Sequence, residues 1–392
     1  MAAREKSKIN VQDLKGFKYF KLLTPLLERL HDVGTANDTA GNRKLFFDQY
    51  AALLLFYFFN PALTSLRGVQ QAATLDKVQK RLGVQPTSLG SLSAAARVFD
   101  AEALQDIVHE LAEHIPAGVP TTELQALQGL TAVDGSLLPA LPRMAWALWV
   151  DDEHRAAKMH LAFEVLRGIP TRVTVTAGNA SEHDQLRALL QPERLYVIDR
   201  GYAEYQLFQD IIDAQSGFVG RIRDNAVWQT VEERPVSDAA RAAGVRSDRI
   251  IWLGGDASGA VFKQPLRVVE VVTDKRDAHG RPEVLLLATD QLDLDAELVA
   301  LAYRFRWSVE LFFRWFKCIL GCQHLLSTCP NGVAIQVYLA VIASLLVSLW
   351  TGQKPTKRTF EMLCFYFSGW ASEAERFAHL EKVRQAKKNE VR

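Results

Sequence analysis

Cysteine is scarce in this sequence, with four residues in a chain of 392. So few cysteines exclude a disulfide framework, and we therefore expect a protein of a reducing cytoplasm. Cys318 and Cys322 are spaced like neighbours on one turn of a helix, where they could share a metal ion. Because no second ligand pair at a zinc spacing accompanies them, we favour free thiols over a structural zinc site.

Net charge is almost absent as well. Lysine and arginine number 46 against 45 aspartate and glutamate, which leaves a formal charge of +1. Composition alone therefore does not indicate nucleic-acid binding. The charge is uneven, however, because residues 1–50 carry nine basic against six acidic residues, and residues 351–392 carry nine against five. Such basic ends suit arms that contact phosphates, and they also occur as tails without that role.

Long apolar runs are rare. The N-terminus lacks one, so we expect no signal peptide. Only residues 333–350 are long enough to test as a membrane span, since about 18 apolar residues can cross a bilayer. The run contains Gln336, Ser344 and Ser348, which favours a buried core helix. A membrane-associated protein that uses this run is the alternative.

The rest of the sequence has an ordinary globular composition arranged in blocks. Between residues 10 and 115, apolar residues recur at three- and four-residue spacing, which predicts an all-helical region. Short β-type runs begin near residue 125 and then alternate with helices, which predicts a mixed sheet of the α/β (α+β) class. An irregular β-rich stretch follows, and the chain then returns to helix.

These changes of pattern divide the chain into five predicted segments. In order, they are an N-terminal helical domain, the first part of a sheet core, a β-rich insertion, the last part of the core and a helical tail. Their predicted bounds are 1–122, 123–225, 226–292, 293–351 and 352–392. The polar end of the tail is expected to fray.

Two aspartates follow apolar runs that we predict to be central strands. Asp134 stands in LTAVDGSLL, where the run meets a Gly-Ser turn, and Asp199 stands in RLYVIDRGY. Ligand sites in open α/β sheets form at the carboxyl ends of strands, so the two side chains are placed to share a divalent cation. Carboxylates are natural ligands of Mg²⁺. For either aspartate alone, ordinary turn chemistry before glycine is the better explanation.

A third carboxylate, Glu310, lies among aromatic and cationic side chains in the run YRFRWSVELFFRWFK. At about 100° per residue, Tyr303, Arg306 and Lys317 fall on the same helix face as Glu310. Pairing of Glu310 with Arg306 and Arg314 at i,i+4 spacing would also produce this stripe. The surrounding rings predict a largely buried helix, however, and buried cations need an anion such as a DNA phosphate.

The spacing Tyr-x2-Arg-x3-Glu-x6-Lys resembles the signature of DDE transposases of bacterial insertion sequences, in particular the insertion-sequence-four family. The motifs VDGS and VIDRGY resemble the first and second acidic motifs of that family. The resemblance covers about residues 125–350. It implies a ribonuclease-H-like catalytic core with a β insertion, in which Asp134, Asp199 and Glu310 are the catalytic and metal-binding residues.

The resemblance also implies substrate, cofactor and partners. The expected enzyme binds terminal inverted repeats, cleaves DNA with Mg²⁺ (or Mn²⁺ in its place) and transfers the strand to target DNA. It would act on double-stranded DNA as a homodimer, in the bacterial cytoplasm near the nucleoid and away from membranes. Trp307 would stack on an unpaired base. The expected DNA-binding residues are Tyr303, Arg306, Trp307, Arg314, Lys317 and Arg200.

A second hypothesis is a catalytically inactive DNA-binding protein derived from such an enzyme. The intact acidic triad argues against it, because an unused site tolerates loss of a carboxylate. His160 is expected to be a packed core histidine rather than a site residue, while Lys158 and His183 are ambiguous. The N-terminal helices are the candidates for reading the inverted repeats through the major groove.

Overall fold

The computed structural model describes most of the chain, in seven stretches. They are residues 25–31, 44–116, 122–151, 154–254, 262–276, 280–352 and 354–390. The predictions of helix before residue 25 and between residues 32 and 43 lie outside the described residues. The same holds for residues 391 and 392 of the predicted frayed end.

Helices form the N-terminal part of the described chain, as the spacing of apolar residues predicts. Ser65 and Ser88 each begin a helix as N-cap, because the side chain accepts a hydrogen bond from the backbone N–H three residues on. Gly83 ends another helix in the left-handed conformation, with φ of 66°. The helices are α1 (Phe47–Phe58), α2 (Leu66–Ala72), α3 (Asp76–Leu82), α4 (Leu89–Val98), α5 (Gln105–His114) and α6 (Thr122–Gln125), with a 3-10 turn at Ala101–Leu104.

The described strands form one sheet in the order β3-β2-β1-β4-β5-β9-β8-β7-β6. Three helices lie between strands along the chain, namely α7 (Glu182–Leu189), α8 (Tyr205–Asp213) and α9 (Asp238–Ala242). The strands are β1 (Leu130–Pro139), β2 (Ala156–Glu164), β3 (Ile169–Ala177), β4 (Leu195–Ile198), β5 (Gly217–Arg221), β6 (Trp228–Arg234), β7 (Val245–Leu253), β8 (Leu266–Arg276) and β9 (Pro282–Thr289).

The first five strands form the part of the sheet in which parallel and antiparallel pairs are mixed. Strands β1, β2 and β3 are antiparallel neighbours, whereas β4 and β5 run parallel to β1 in the order β1-β4-β5. Helices α7 and α8 make the connections that parallel strands require. Three antiparallel strands followed by two parallel ones confirm the predicted mixed α/β fold.

The remaining four strands continue the same sheet rather than forming a separate one. Strand β9 pairs antiparallel with β5, and β8, β7 and β6 follow outward as antiparallel neighbours. The outermost strand, β6, is largely exposed to solvent. Strands β6 to β9, the insertion strands, lie within the stretch predicted to be a β-rich insertion. They join the rest of the sheet where β9 pairs with β5.

Two apolar cores cover the two faces of the sheet. On one face, α7 packs on β1 and β2, and α8 packs on β5. The other face carries the larger core, which includes the N-terminal helices and the helices that follow the sheet. These later helices are α10 (Ala296–Phe305), α11 (Trp307–Arg314), α12 (Pro330–Thr351), α13 (Lys357–Phe367) and α14 (Glu373–Glu390).

The predicted continuous helix through Glu310 is interrupted at both ends. Helix α10 ends at Phe305 and α11 begins at Trp307, with Arg306 as the residue between them. After Arg314 the chain forms a π-helical turn at Trp315–Ile319. The prediction of one regular helix is therefore wrong. Local π geometry of this kind occurs frequently at functional sites.

Helix α12 is the centre of the larger core. By length and composition it could cross a membrane, yet 94% of its most apolar 18-residue window is buried inside the fold. It packs against α1, α4, α5 and β3, and Ser344 and Ser348 donate hydrogen bonds to carbonyls four residues earlier. The prediction of a buried core helix is confirmed.

A buried ion pair fixes the insertion strands to the chain that leads into α10. Arg267 on β8 and Asp248 on β7 are 3% and 4% exposed, and Arg267 Nη2 lies 2.7 Å from Asp248 Oδ2. Arg267 also donates hydrogen bonds to the carbonyls of Gln291, Leu292 and Leu294. This single side chain thus connects two insertion strands with the segment that precedes Tyr303.

We expect Asp248→Ala to lower the free energy of unfolding by about 3 to 5 kcal/mol, because it leaves a buried guanidinium without its counter-ion. Chemical denaturation followed by circular dichroism measures the change. Glu233→Ala is the matched control, since Glu233 is 65% exposed and pairs with Arg249 across neighbouring strands. The control should lose less than about 1 kcal/mol. Equal losses in the two variants would contradict the structural role of Arg267.

Candidate active site

Asp134 lies on β1, and Asp199 lies directly after the end of β4, the parallel strand beside it. Strands β1 and β4 pair from Leu130 opposite Leu195 to Ala132 opposite Val197. Continued by two residues, the same register places Asp134 opposite Asp199. Neighbouring strands are about 4.7 to 4.9 Å apart, so the two backbones hold these carboxylates close together. The pair does not depend on the conformation of a long loop.

Both aspartates point to the face of the sheet that carries the later helices. Side chains alternate along a strand, and Ala132 and Val197 belong to the larger core, whereas Val133 and Ile198 belong to the smaller one. Asp134 directly follows Val133 in the chain, and Asp199 directly follows Ile198. They therefore face α10 and α11.

The predicted Gly-Ser turn after Asp134 is not a turn. Strand β1 continues to Pro139 and stays paired with β2, with Gly135 opposite His160. A Cβ at Gly135 would lie 2.8 Å from Glu182 Oε1 and 3.3 Å from Lys158 Cδ, so a larger residue there would displace these two side chains. Gly135 thus allows α7 to pack closely on β1, on the face of the sheet opposite to Asp134.

The pKa of Asp134 is raised to about 7, mainly by burial and also by the charges of Asp199 and Glu182. Two groups oppose this shift: the backbone N–H of Gly135, which donates to Asp134 Oδ1 at 2.8 Å, and the cation of Arg306. Asp199 Oδ1 accepts a hydrogen bond of 2.7 Å from the N–H of Gly201. Two adjacent carboxylates with few compensating donors form a site that favours a cation.

Asp134→Asn should stabilise the protein in the presence of a chelator. The folded protein keeps the proton of Asp134 up to a pH of about 7, whereas the ordinary value is 3.8, so the unfolded chain releases that proton first. The free energy of unfolding of the wild type therefore falls as the pH rises from about 4 to about 7. The amide carries no such penalty, and we expect a gain of about 2 to 4 kcal/mol at pH 8.

Thermal and chemical denaturation at pH 8 and at pH 4, with EDTA in both buffers, measure this difference. The gain should shrink toward pH 4. A divalent cation should stabilise the wild type more than Asp134→Asn. An amide variant that is less stable than the wild type at pH 8 would contradict the electrostatic description of the site.

Glu310 lies on the helix that packs over this pair. Helix α11 contacts β1 and β2, and the ring of Phe312 lies 5.4 Å from that of Phe163. The carboxylate of Glu310 accepts a hydrogen bond of 2.7 Å from Arg306 Nη2, one helical turn earlier. The i,i+4 ion pair that sequence spacing offers as an alternative is therefore present.

Arg306 links this helix to the aspartates. Although burial lowers it, the pKa of Arg306 is raised overall, by the hydrogen bond with Glu310 and by the nearby groups Tyr303, Glu310 and Asp134. Its side chain is 16% exposed. A largely buried guanidinium thus lies near carboxylates of both the helix and the sheet.

Tyr303 and Lys317 also reach the site. Burial raises the pKa of Tyr303, with Arg306 and Arg221 acting against the shift and Asp199 adding to it. Burial lowers the pKa of Lys317, and Asp134 partly offsets that effect. Lys317 lies in the π-helical turn, so the broken helix still directs it toward Asp134.

The other predicted DNA-contacting residues lie at the surface around this centre. Trp307 is 47% exposed, and Lys275 Nζ, from the end of β8, lies 5.8 Å from the centre of its ring. Arg314 is exposed on α11. Arg200 is exposed and makes a long contact of 3.5 Å with Asp224. All three are accessible to a polyanion.

The packed histidine His160 and the two residues that the sequence leaves ambiguous, Lys158 and His183, lie on the opposite face of the sheet or at its edge. His160 is 1% exposed, its Nε2 lies 2.8 Å from Thr176 Oγ1, and burial lowers its pKa to about 4. Lys158 pairs with Glu182 at 3.1 Å, and His183 lies 3.6 Å from Glu204. His160 is accordingly a packed neutral histidine.

Sequence inspection misses two residues that act on the aspartates. Glu182, at the start of α7, raises the pKa of Asp134. Tyr202 is a buried phenol, and its pKa is raised by burial, by Glu182 and by both aspartates. For Tyr202, the sequence offers one indication, its place three residues after Asp199 in the motif VIDRGY. For Glu182, the surrounding sequence offers no such indication.

The oxygen donors of Asp134 and Asp199 suit a hard divalent cation. Their mutual repulsion and the burial of Asp134 make a bound cation favourable there. Within the described residues, no three His, Cys, Asp or Glu side chains are grouped closely enough to hold a metal ion. Glu310 is engaged by Arg306 instead, so its part in a metal site stays a prediction.

Comparison with known proteins gives a family match over the same region. Residues 125–346, more than half of the chain, match the family model described as the transposase DDE domain. The match contains both aspartates, the insertion strands and Glu310. It ends inside α12.

Named relatives agree with this match. A probable transposase for insertion sequence element IS5377 of Geobacillus stearothermophilus is 28% identical over 58% of this chain and 59% of that protein. The y4zB protein of Sinorhizobium fredii, also named as a transposase, is 26% identical over 56% of this chain and 60% of its own length. The alignments thus cover less than two thirds of these two relatives. A Synechocystis protein named for the transposase of insertion sequence element IS4SA is 19% identical over 85% of this chain and 92% of its own.

Among solved structures, a piggyBac transposase in a synaptic complex with hairpin DNA is similar, with a TM-score of 0.48 and 11% identity. The alignment covers 96% of this chain and 85% of that chain.

Proposed function

Because the chain belongs to the transposase DDE-domain family, we propose that it is the transposase of a bacterial insertion sequence. It binds the terminal inverted repeats, cleaves DNA at the ends of the element and joins the freed strand to target DNA. The observation that carries this proposal is the register of β1 and β4, which sets Asp134 beside Asp199 under the helix of Glu310.

Asp134, Asp199 and Glu310 are the proposed ligands of Mg²⁺, for which Mn²⁺ can substitute. When bound, such ions supply activation of the attacking oxygen and stabilisation of the leaving oxygen in phosphoryl transfer. The protein contributes the position of the carboxylates on rigid elements, two at paired strands and one on a packed helix. The cations Arg306 and Lys317 hold the phosphate beside them.

Arg306 has two functions in this proposal. Without DNA, it needs Glu310 as a counter-ion, because its guanidinium is largely buried. A DNA phosphate supplies another anion, and Arg306 can then turn from Glu310 to the phosphate. Glu310 becomes free to complete the set of carboxylates. Substrate binding is thereby coupled to the assembly of the cation site.

The surface around the centre provides further DNA contacts. Trp307 offers an exposed ring for stacking on an unpaired base, with Lys275 beside it for the backbone. Arg314 and Arg200 add accessible charges on either side. Because the formal net charge is only +1, DNA affinity depends on this local group of cations rather than on the charge of the whole protein.

The other segments complete the proposed assembly. The helices within residues 1–122 read the element ends, residues 123–225 and 293–351 form the catalytic core, and residues 226–292 form its insertion, followed by the tail at 352–392. Two copies bring two ends together on double-stranded DNA. The protein then acts in the cytoplasm at the nucleoid, without a membrane.

We expect Asp134→Asn, Asp199→Asn and Glu310→Gln each to slow DNA cleavage by about a hundredfold or more, because changes even beyond the direct ligands of a metal cost about 10- to 100-fold. Nicking of a supercoiled plasmid that carries the ends of the element measures this. Asp238→Asn is the control, since its side chain is 98% exposed. Cleavage by all three variants at the wild-type rate would refute the catalytic assignment.

DNA should increase the affinity of the protein for Mn²⁺ about tenfold, within the usual range of coupling between two sites. Calorimetric titration of Mn²⁺ into the protein, with and without a duplex of the element end, measures the coupling after subtraction of the duplex alone. Glu310→Gln should bind Mn²⁺ equally well in both conditions. The same gain in Glu310→Gln as in the wild type would contradict the exchange at Arg306.

A further inference from the structure

Arg221 occupies the position next to Asp199 in the row of side chains across the sheet. Strands β4 and β5 pair from Leu195 opposite Gly217 to Ile198 opposite Gly220. One residue further, Asp199 is opposite Arg221, the last residue of β5. The order β1-β4-β5 therefore places Asp134, Asp199 and Arg221 at one level of three adjacent strands.

Arg221 shares the face of the two aspartates. Val219 belongs to the larger core, and a Cβ at Gly220 would point toward Ile198 and Phe208 in the smaller core. Alternation then directs Arg221 to the face of α10 and α11. Its charge acts on Tyr303, as does that of Asp199, which places all three groups together.

The insertion holds this guanidinium in place. Arg221 Nη1 lies 2.9 Å from Glu283 Oε1 on β9, and Nη2 makes a longer contact of 3.9 Å with Asp224. The third nitrogen, Nε, is buried and has no hydrogen-bond partner within the described part of the chain. Only Nη1 is held by a short ion pair, so this guanidinium, beside the proposed cation site, keeps donor capacity for a further anion.

We propose that Arg221 binds a phosphate of the substrate DNA on the Asp199 side of the centre, and that Glu283 positions it. This inference rests on the proposed transposase function. Arg306 acts on Asp134 from the helix, whereas Arg221 lies at the level of Asp199 in the sheet. A planar guanidinium matches two phosphate oxygens at once, which an ammonium group cannot do. The last insertion strand thereby contributes to substrate binding.

The test uses the full chain and fluorescently labelled duplexes of the element end. Arg221→Ala should weaken binding about tenfold, as for a hydrogen bond between charged groups, and should reduce the slope of log affinity against log salt by about 0.9. Arg221→Lys should fall between Arg221→Ala and the wild type. Glu283→Gln should weaken binding less than Arg221→Ala does. Arg246→Ala, on β7, is the matched control, since Arg246 is 68% exposed and pairs with Glu270 at 3.5 Å.

A scan with duplexes that carry one uncharged methylphosphonate each separates contact from structure. At the phosphate that Arg221 touches, the substitution should weaken the wild type and leave Arg221→Ala unchanged. If Arg221 were only structural, its loss would add to the effect of every methylphosphonate, and that result would overturn the inference. Binding by Arg221→Ala equal to that by Arg246→Ala would also overturn it. Failure of the wild type to bind or cleave element ends would instead refute the proposed function.

Discussion

The parallel pairing of β1 with β4 is the constraint on which the rest of the site depends. It sets two carboxylates, Asp134 and Asp199, at the same level of neighbouring strands, where burial and repulsion raise the pKa of Asp134 to about 7. Such a pair lowers the stability of the fold when both carboxylates are ionised. The arrangement becomes favourable when cations approach, as Arg306 and Lys317 already do from the helix above.

The remainder of the fold keeps these charges in place. Helix α12 fills the larger core and supports the face on which α10 and α11 lie. The insertion strands extend the sheet from β5, and Arg267 connects them to the chain before α10. Through Glu283 the same strands hold Arg221 beside Asp199. The core helices and the insertion strands thus both position the side chains of Asp134, Asp199 and Arg221.

The sequence indicates the family and the candidate residues of this site better than it indicates their local geometry. Apolar runs before Asp134 and Asp199 identify two central strands, and their motifs and the Tyr-Arg-Glu-Lys spacing lead to the family. The interruption at Arg306 and the π-helical turn depend on packing against the sheet, so the 3.6-residue period does not reveal them. Arg221 is equally hidden, because only strand pairing brings it next to Asp199.

The most direct test of the central claim is anomalous diffraction from crystals of the protein with Mn²⁺ and a duplex of the element end. We expect a manganese peak between the carboxylates of Asp134 and Asp199, with Glu310 turned from Arg306 toward the ion and a DNA phosphate beside Arg306. A manganese ion bound elsewhere, with both aspartates free of metal, would contradict the account.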